Sequence, residues 1–400
     1  MITDPHGPLA GVRVLDASRV LAGPLCGQTL GDLGAEVIHV ERPGSGDETR
    51  AWGPPFAGPL SAYYLSCNRN KRAITLDLSQ DEGLRIFHDL ARQTDVVLEN
   101  FRAASVGKLG LGHDKLLAIN PRLIVCSIAG YGRTGPLADL PGYDFAVQAL
   151  SGLMSITGPV EGPPYKVGVA IADVVTGLYA AVAVLACLHA RASSGHGYAI
   201  DLALLDCAVA CQVNVVQAFL TSGQVPPRQG NAHLQIVPYQ AFVTADDWLI
   251  LAIGNDGQWQ RFCAAADRAD LGADARFATN ALRVRNRDVL VTTLVDVMKT
   301  HGVEAWQERL QAVDVPHAPV WNHAQLLAHP QAAARGMKIT VTDSHGQPVD
   351  LAGPPFHIAG TTLRVPTAPP ELGQHTDEVL QELLGLNADR LAELRQKGVV

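Results

Sequence analysis

The sequence predicts an α/β protein built on a parallel sheet covered by helices on both faces, with a smaller α+β domain set into the chain. Three observations predict it. Short apolar runs alternate with helical segments through residues 12–222. Those runs are apolar at consecutive positions, as strands buried on both faces must be. After Ser222 a Pro/Gly-rich linker at 223–230 opens a stretch of different texture, and 400 residues exceed what one hydrophobic core usually organises.

The elements follow in order. Val12–Asp16 reads as a first strand, and Ala22-Gly23-Pro24 as the turn after it. A helix over Leu25–Leu33 stops at Gly34, and Glu36–Glu41 is a second strand. This β-α-β unit implies parallel strands and a right-handed crossover. Strands at Ala73–Leu78, Asp95–Glu99 and Leu123–Ile128 alternate with helices at Glu82–Gln93 and Lys115–Asn120. A Gly/Pro-rich loop at 130–142 leads into a helix over Tyr143–Leu153. A long apolar helix near Asp173–Arg191 ends before Gly195, followed by a strand at Tyr198–Leu202 and a helix at Asp206–Ser222. In the small domain, Val237–Thr244 and Trp248–Ile253 form a hairpin around Asp246-Asp247, with helices to about Ala312. From about Val320 strand-like runs return, with helices at Asn322–Ala328 and Thr376–Leu384, and strands at Ile339–Val341 and Gly353–Phe356. The expected division is 1–222, 223–319 and 320–400.

Composition excludes several classes. With 47% hydrophobic and 18% charged residues the chain is no disordered polymer. Its net charge of −8 argues against a nucleic-acid coat or a polybasic membrane binder. Seven cysteines without a CxxC motif fit reduced thiols better than disulfides or a zinc site, so no metal is expected. The fourteen histidines make no HExxH pattern. The opening MITDPHGPLAG is too polar for a signal peptide. The apolar stretch Val167–Ala190 contains Asp173, a costly residue in lipid, and reads as a buried helix of a soluble protein. A cytoplasmic protein without a membrane partner is expected.

Four segments carry candidate chemistry. The loop Arg19–Pro24 follows the first strand and holds one glycine, so a GxGxxG dinucleotide fingerprint is absent there. It still sets a helix N-terminus at the carboxyl end of a strand, where such sheets bind ligands. Arg42, after the second strand, suits a base or phosphate. Asn68–Arg72 carries three cations, a phosphate-sized patch or a solvated loop, and Lys108 adds another cation beyond Asn100-Phe101. Asp144, in Pro141–Phe145, stands where a loop becomes a helix; it is either an N-cap or first-turn residue or a carboxylate nucleophile.

Taken together, VLDASRVLAGPLCGQTLGDLGAEVIHVERPGSGDETR at 14–50, CNRNKRAITLDL at 67–78, DVVLENF at 95–101, GYGRTGP at 130–136, PGYDFAVQALSGLM at 141–154, GPPYKVGVAIADVVTGLYA at 162–180 and LGQHTDEVL at 372–380 resemble the class III CoA-transferase (CaiB/BaiF) family. Within it, GNAHLQIVPYQAF at 230–242, LRVRNR at 282–287 and the last ten residues are similar to the succinate–hydroxymethylglutarate (glutarate) CoA-transferase branch. The resemblance implies a Rossmann-like large domain formed by both chain ends, a small domain between, and an interlocked homodimer. It implies that CoA moves from an acyl-CoA, succinyl-CoA above all, to a free dicarboxylic acid. The CoA thioester is then a substrate and no permanently bound cofactor is required.

Carried over from the resemblance, Asp144 matches the catalytic aspartate, and Arg42, Asn70, Lys71, Asn100, Phe101 and Lys108 match CoA contacts, with Arg19 and Leu21 beside the CoA path. Leu21 departs from formyl-CoA transferase, which has glutamine there, and Ala129 departs from its lysine. Gly254-Asn255-Asp256-Gly257 stands where that relative has a glycine-rich loop. The aspartate would pass through a mixed anhydride and an aspartyl-CoA thioester. Backbone N–H groups near Gly142 or Gly254–Gly257 would steady each oxyanion. Arg19, Arg102 and His233 are candidates for the far carboxylate of a diacid. An α-methylacyl-CoA racemase, which works with a His/Asp pair, and a non-catalytic CoA-binding protein are the alternatives.

Overall fold

A computed structural model describes residues 7–361 and 363–400. Most of the hydrophilic opening that argued against a signal peptide lies outside the described residues. The chain divides into two compact units, one comprising the chain up to Leu153, Val167–Ser222 and Gln331–Val400, the other Met154–Lys166 and Gly223–Pro330. The segment 154–166 therefore groups with the inserted unit, and the chain returns to the larger one at Gln331.

The larger unit holds six parallel strands, β1 (Arg13–Asp16), β2 (Glu36–Glu41), β3 (Lys71–Thr75), β4 (Val96–Glu99), β5 (Ile124–Ala129) and β6 (Tyr198–Ala203), in the order β3-β2-β1-β4-β5-β6. Register runs Val37 to Lys71, Val14 to Val37, Val14 to Val96, Val96 to Ile124 and Ile124 to Tyr198. Strand periodicity of two decides the layers. Leu15, Ile38, Ile74, Val97 and Val125 enter one core, Val14, Val37, Val96, Leu98 and Ile124 the other. The order reverses between β1 and β4, which opens a crevice beyond their carboxyl ends.

The helices of this unit include α1 (Ala22–Asp32), α2 (Asp81–Ala91), α3 (Ala103–Lys108), α4 (His113–Ile119), α5 (Asp144–Leu150), α6 (Ile171–Ser194), α7 (Leu204–Ala210) and α8 (Val213–Ser222). The single helix expected over 206–222 is two, because Val213 at φ +32° breaks the ladder and the axis turns by 78°. The third strand starts at Lys71 rather than Ala73. The partner of strand Lys338–Thr342 is Pro348–Ala352, ahead of the expected Gly353–Phe356. Helices Thr376–Leu384 and Ala388–Gln396 close the chain, and their Val379, Leu380, Leu391 and Leu394 join the core of Leu15 and Ile38. Both ends of the chain thus build the same sheet layer.

Helix α6 lies against α1 through small residues. A Cβ on Gly177 would stand 2.6 Å from the Ala22 carbonyl oxygen, so only glycine permits the approach. The buried face of α6 is Ala172, Thr176, Gly177, Ala180, Ala181 and Val184. The expectation of a buried helix is corrected here: Leu178, Tyr179 and Val182 are 43–62% exposed. By length and composition α6 could cross a membrane, and only 33% of its most apolar stretch is buried.

In the second unit, β7 (Tyr239–Val243), β8 (Trp248–Ala252) and β9 (His317–Pro319) form an antiparallel sheet with β8 central. Trp259, Phe262, Phe277 and Trp306 pack its core with Leu249 and Leu251.

Candidate active site

The loop after β1 is held in shape from below. Lys71 Nζ donates to Asp16 Oδ2 at 2.9 Å and to Asn68 Oδ1 at 2.9 Å, with Lys71 and Asp16 side chains fully buried. Burial works to raise the Asp16 pKa, but Lys71, His39 and Ser18 outweigh it and hold the carboxyl far below its usual range. Asp16 in turn accepts from the Ser18 backbone N–H at 3.0 Å and from its hydroxyl. The Asn100 side chain then pairs with both backbone groups of Arg19, accepting from its N–H at 2.9 Å and donating to its C=O at 2.7 Å. This clamp fixes Arg19 just before Val20, which takes φ +72°, and α1 begins at once.

A cavity of about 430 Å³ opens at this point, between the loops after β1, β4 and β5. Arg19, Leu21, Asn100, Phe101, Arg102 and Asp173 are among its lining residues. Its far wall comes from the 130–142 loop, where Gly130 and Gly142 touch so closely that a Cβ on either would lie 2.4–2.5 Å from the other's Cα. Arg133 ties that loop to β4 through the buried carboxylate of Glu99.

A second cavity, of about 270 Å³, lies beyond the ends of β1, β2 and β3 and is lined by Arg42, Leu76, Leu78, Phe101 and Leu109. Arg19 and Phe101 line both cavities, with the guanidinium 5.6 Å from the ring centre. The two spaces share this divider, as a long ligand with an aromatic-base end and a reacting end would require.

Two carboxylates line the larger cavity, Glu48, which is paired with Arg19, and Asp173. Asp173 sits in the first turn of α6, mostly out of water. Burial, and then the negative charge of Asp144, push its pKa up to about 7. No cation partners it in the structure as described. A carboxylate raised by burial and a charged neighbour, and set in a cleft, is a candidate for chemistry.

Asp144, expected as the nucleophile, is otherwise engaged. Its Oδ1 accepts from the backbone N–H of Ala172 at 2.7 Å and of Asp173 at 3.4 Å, and its Oδ2 accepts from Gln148 Nε2 at 2.7 Å. It caps the start of α6, whose own N-cap residue Ala170 has no side-chain acceptor. Asp144 is absent from the lining of the larger cavity, whereas Asp173 is part of it.

The other expected site residues separate. Arg19, Leu21, Asn100 and Phe101 line the larger cavity, and Arg42 lines the smaller. Asn70 and Lys71 do not: Asn70 is 2% exposed and donates to Asp32 while accepting from the Thr367 N–H, and Lys71 belongs to Asp16. Neither side chain lines either cavity, since both are committed to buried protein partners. Lys108 is exposed in the last turn of α3, next to Leu109 of the smaller cavity. In the other unit the Gly254 N–H is already given to Gln258 Oε1 at 2.7 Å, and the His233 ring accepts from the Gln235 N–H. Among the described residues no His, Cys, Asp or Glu cluster could hold a metal ion.

Residues 9–376 match CoA-transferase family III. The chain is 43% identical to a succinate–glutarate CoA-transferase of Agrobacterium fabrum, over 94% of this chain and 96% of that protein. It is 40% identical to the human succinyl-CoA:glutarate CoA-transferase, over 98% of this chain and 90% of that one. The crystal structure of a CaiB/BaiF family protein from Brucella suis superposes with a TM-score of 0.84 at 42% identity, covering 94% of this chain and 100% of that one. The chain belongs to CoA-transferase family III and is an acyl-CoA:carboxylate CoA-transferase.

Proposed function

We propose that the enzyme moves CoA from succinyl-CoA to glutarate or a diacid of similar length, with Asp173 as the nucleophile. The observation that carries the mechanism is a largely buried, cation-free carboxylate in the cavity at the point where the strand order reverses. The names of the two relatives support the substrates.

Ionised Asp173 attacks the thioester carbonyl, and the C–S bond breaks to leave a mixed anhydride and CoA thiolate. The thiolate attacks the aspartyl carbonyl, forming an aspartyl-CoA thioester and releasing succinate. The acceptor carboxylate then attacks this thioester, giving a second anhydride and thiolate. Attack of that thiolate on the acceptor's acyl carbon yields the new acyl-CoA and restores Asp173. A carboxylate suits this exchange because its anhydride and thioester lie near substrate and product in free energy. The raised pKa makes the ionised group more basic and a stronger nucleophile. Leu21, the N-cap residue of α1, and Ala22, its first residue, line the cavity, and their backbone N–H groups, which lack intrahelical acceptors, would be offered to the oxyanion.

The nucleotide end of CoA lies in the smaller cavity against Arg42, and the pantetheine arm passes Arg19 and Phe101 to reach Asp173. Asn100 acts on this path by shaping the loop, and Lys108 flanks the nucleotide end. No cofactor beyond the CoA substrate enters the scheme. The racemase alternative needs a histidine opposite the aspartate, and the described lining of the cavity contains none.

The working form is a homodimer. Its support is the exposed apolar face of α5, α6 and α8, including Phe145, Leu150, Val182, Phe219 and Leu220, which a second copy would cover. Labelled succinate incubated with succinyl-CoA tests the activity. Exchange of label into the thioester is expected, and glutarate should compete for it. Absence of exchange with any dicarboxylate would overturn the reading.

A further inference from the structure

The cavity that holds Asp173 also holds two guanidinium-bearing residues, Arg19 and Arg102. They differ in what occupies them. Arg19 donates through Nη1 to Glu48 Oε1 at 3.0 Å, lies over Phe101, and has its backbone pinned by Asn100. It also borders the second cavity, so it belongs to the passage between the two. Arg102 stands three positions beyond the end of β4 and is the N-cap residue of α3. Among the described residues no carboxylate pairs with its side chain. Its backbone carbonyl accepts from the Ser105 and Val106 N–H groups, which places the residue without using its guanidinium.

The same cavity is lined by the apolar side chains Leu21, Ile128, Leu140 and Leu204, set among polar groups. An acyl chain whose near carboxyl reacts at Asp173 would run its methylenes along these side chains. Its far carboxylate would arrive uncompensated, and a charge in a partly desolvated space needs a partner. A guanidinium offers two parallel N–H donors to a carboxylate, the bidentate fit a lysine lacks.

We propose that Arg102 reads the far carboxylate of the dicarboxylic substrates and so sets the preference for diacids over monoacids. The assignment rests on the transferase reading above and names the group that selects its acyl substrates. Both half-reactions use the same contact, since donor and acceptor each carry a far carboxylate. CoA itself makes no use of it.

The test compares Arg102→Ala and Arg102→Lys with the wild-type enzyme on glutarate and on valerate, a monoacid of the same chain length, using acetyl-CoA as a donor without a far charge. In Arg102→Ala the ratio of kcat/KM for glutarate to that for valerate falls at least about tenfold, chiefly through the KM for glutarate. Arg102→Lys keeps part of the ratio. Affinity for free CoA by titration and the melting temperature stay at wild-type values, because among the described residues the Arg102 side chain forms no hydrogen bond or ion pair. An unchanged ratio, or equal losses on both acids, overturns the proposal while leaving the transferase reading intact. A loss of CoA affinity overturns it as well, by assigning Arg102 to the phosphates. A wild-type enzyme that transfers CoA but uses no diacid removes both the substrate reading and this one.

Discussion

Asp16 and Asp173 stand on the same side of one sheet, at the end of β1 and the start of α6, and their environments drive them in opposite directions. Both lose water on folding. Asp16 gains Lys71 at 2.9 Å and its pKa falls, so it is ionised at any working pH. Asp173 gains no cation and has Asp144 as its charged neighbour, so its pKa rises to about 7. One region is closed, with each partner committed to another. The other is open, with a carboxylate facing a cavity. The partner, more than the burial, decides which carboxylate holds the fold together and which is left for chemistry.

The largest way to separate the two is to remove one member of each. Lys71→Met strands Asp16 as a buried charge and should cost about 3–5 kcal/mol, read as a lower denaturant midpoint. Asp173→Asn should leave the fold intact and reduce transfer at least about a thousandfold, as loss of a nucleophile does. A stable, inactive Lys71→Met enzyme or an unfolded Asp173→Asn enzyme would reverse the assignment.

The pH dependence sharpens the same contrast. A carboxyl raised in the folded state binds its proton more tightly there than in the unfolded chain. Its favourable contribution is complete below about pH 4 and is lost as pH rises through about 7. Asp173→Asn should therefore melt higher than wild type at pH 8, and the difference should vanish towards pH 4. Over the same range kcat/KM should rise with pH through about 7 as the nucleophile ionises. Asp144→Asn removes the neighbouring charge, so this limb should move to lower pH. A limb unmoved in Asp144→Asn would break the link between the two carboxylates.

The smallest contrast lies on the CoA path. Arg42→Ala should weaken acyl-CoA binding several-fold, by roughly 1 kcal/mol for one exposed phosphate contact. Lys108→Ala should change it less, because Lys108 only flanks the smaller cavity. Titration with CoA ranks them.

Much of the larger unit was legible in the sequence. Strands buried on both faces leave apolar runs, and those runs set the parallel sheet. The site was legible only in part. Leu21, Asn100 and Phe101 follow strands at the reversal of strand order, where such sheets bind ligands. Asp144 drew attention because a carboxylate at a loop-to-helix step is conspicuous, and that conspicuousness belongs to its capping role. In the sequence Asp173 reads only as a charge that lipid would not tolerate. Its signal is a lone carboxylate in the first turn of a long apolar helix that carries no lysine or arginine before Arg191. The cations at 69–72 looked like a phosphate patch because sequence does not show that Lys71 meets Asp16, 55 positions away. The break at Val213 was invisible too, since apolar periodicity continues through a bend.

The central claim is that the acyl group passes through Asp173 and not Asp144. Mixing the enzyme with succinyl-CoA, quenching with hydroxylamine and sequencing the peptides by mass spectrometry tests it directly. Hydroxylamine attacks the activated carbonyl and leaves a hydroxamate where the thioester or anhydride stood. The account predicts the modification at Asp173, at wild-type level in Lys108→Ala and absent in Asp173→Asn. A hydroxamate at Asp144 would contradict it.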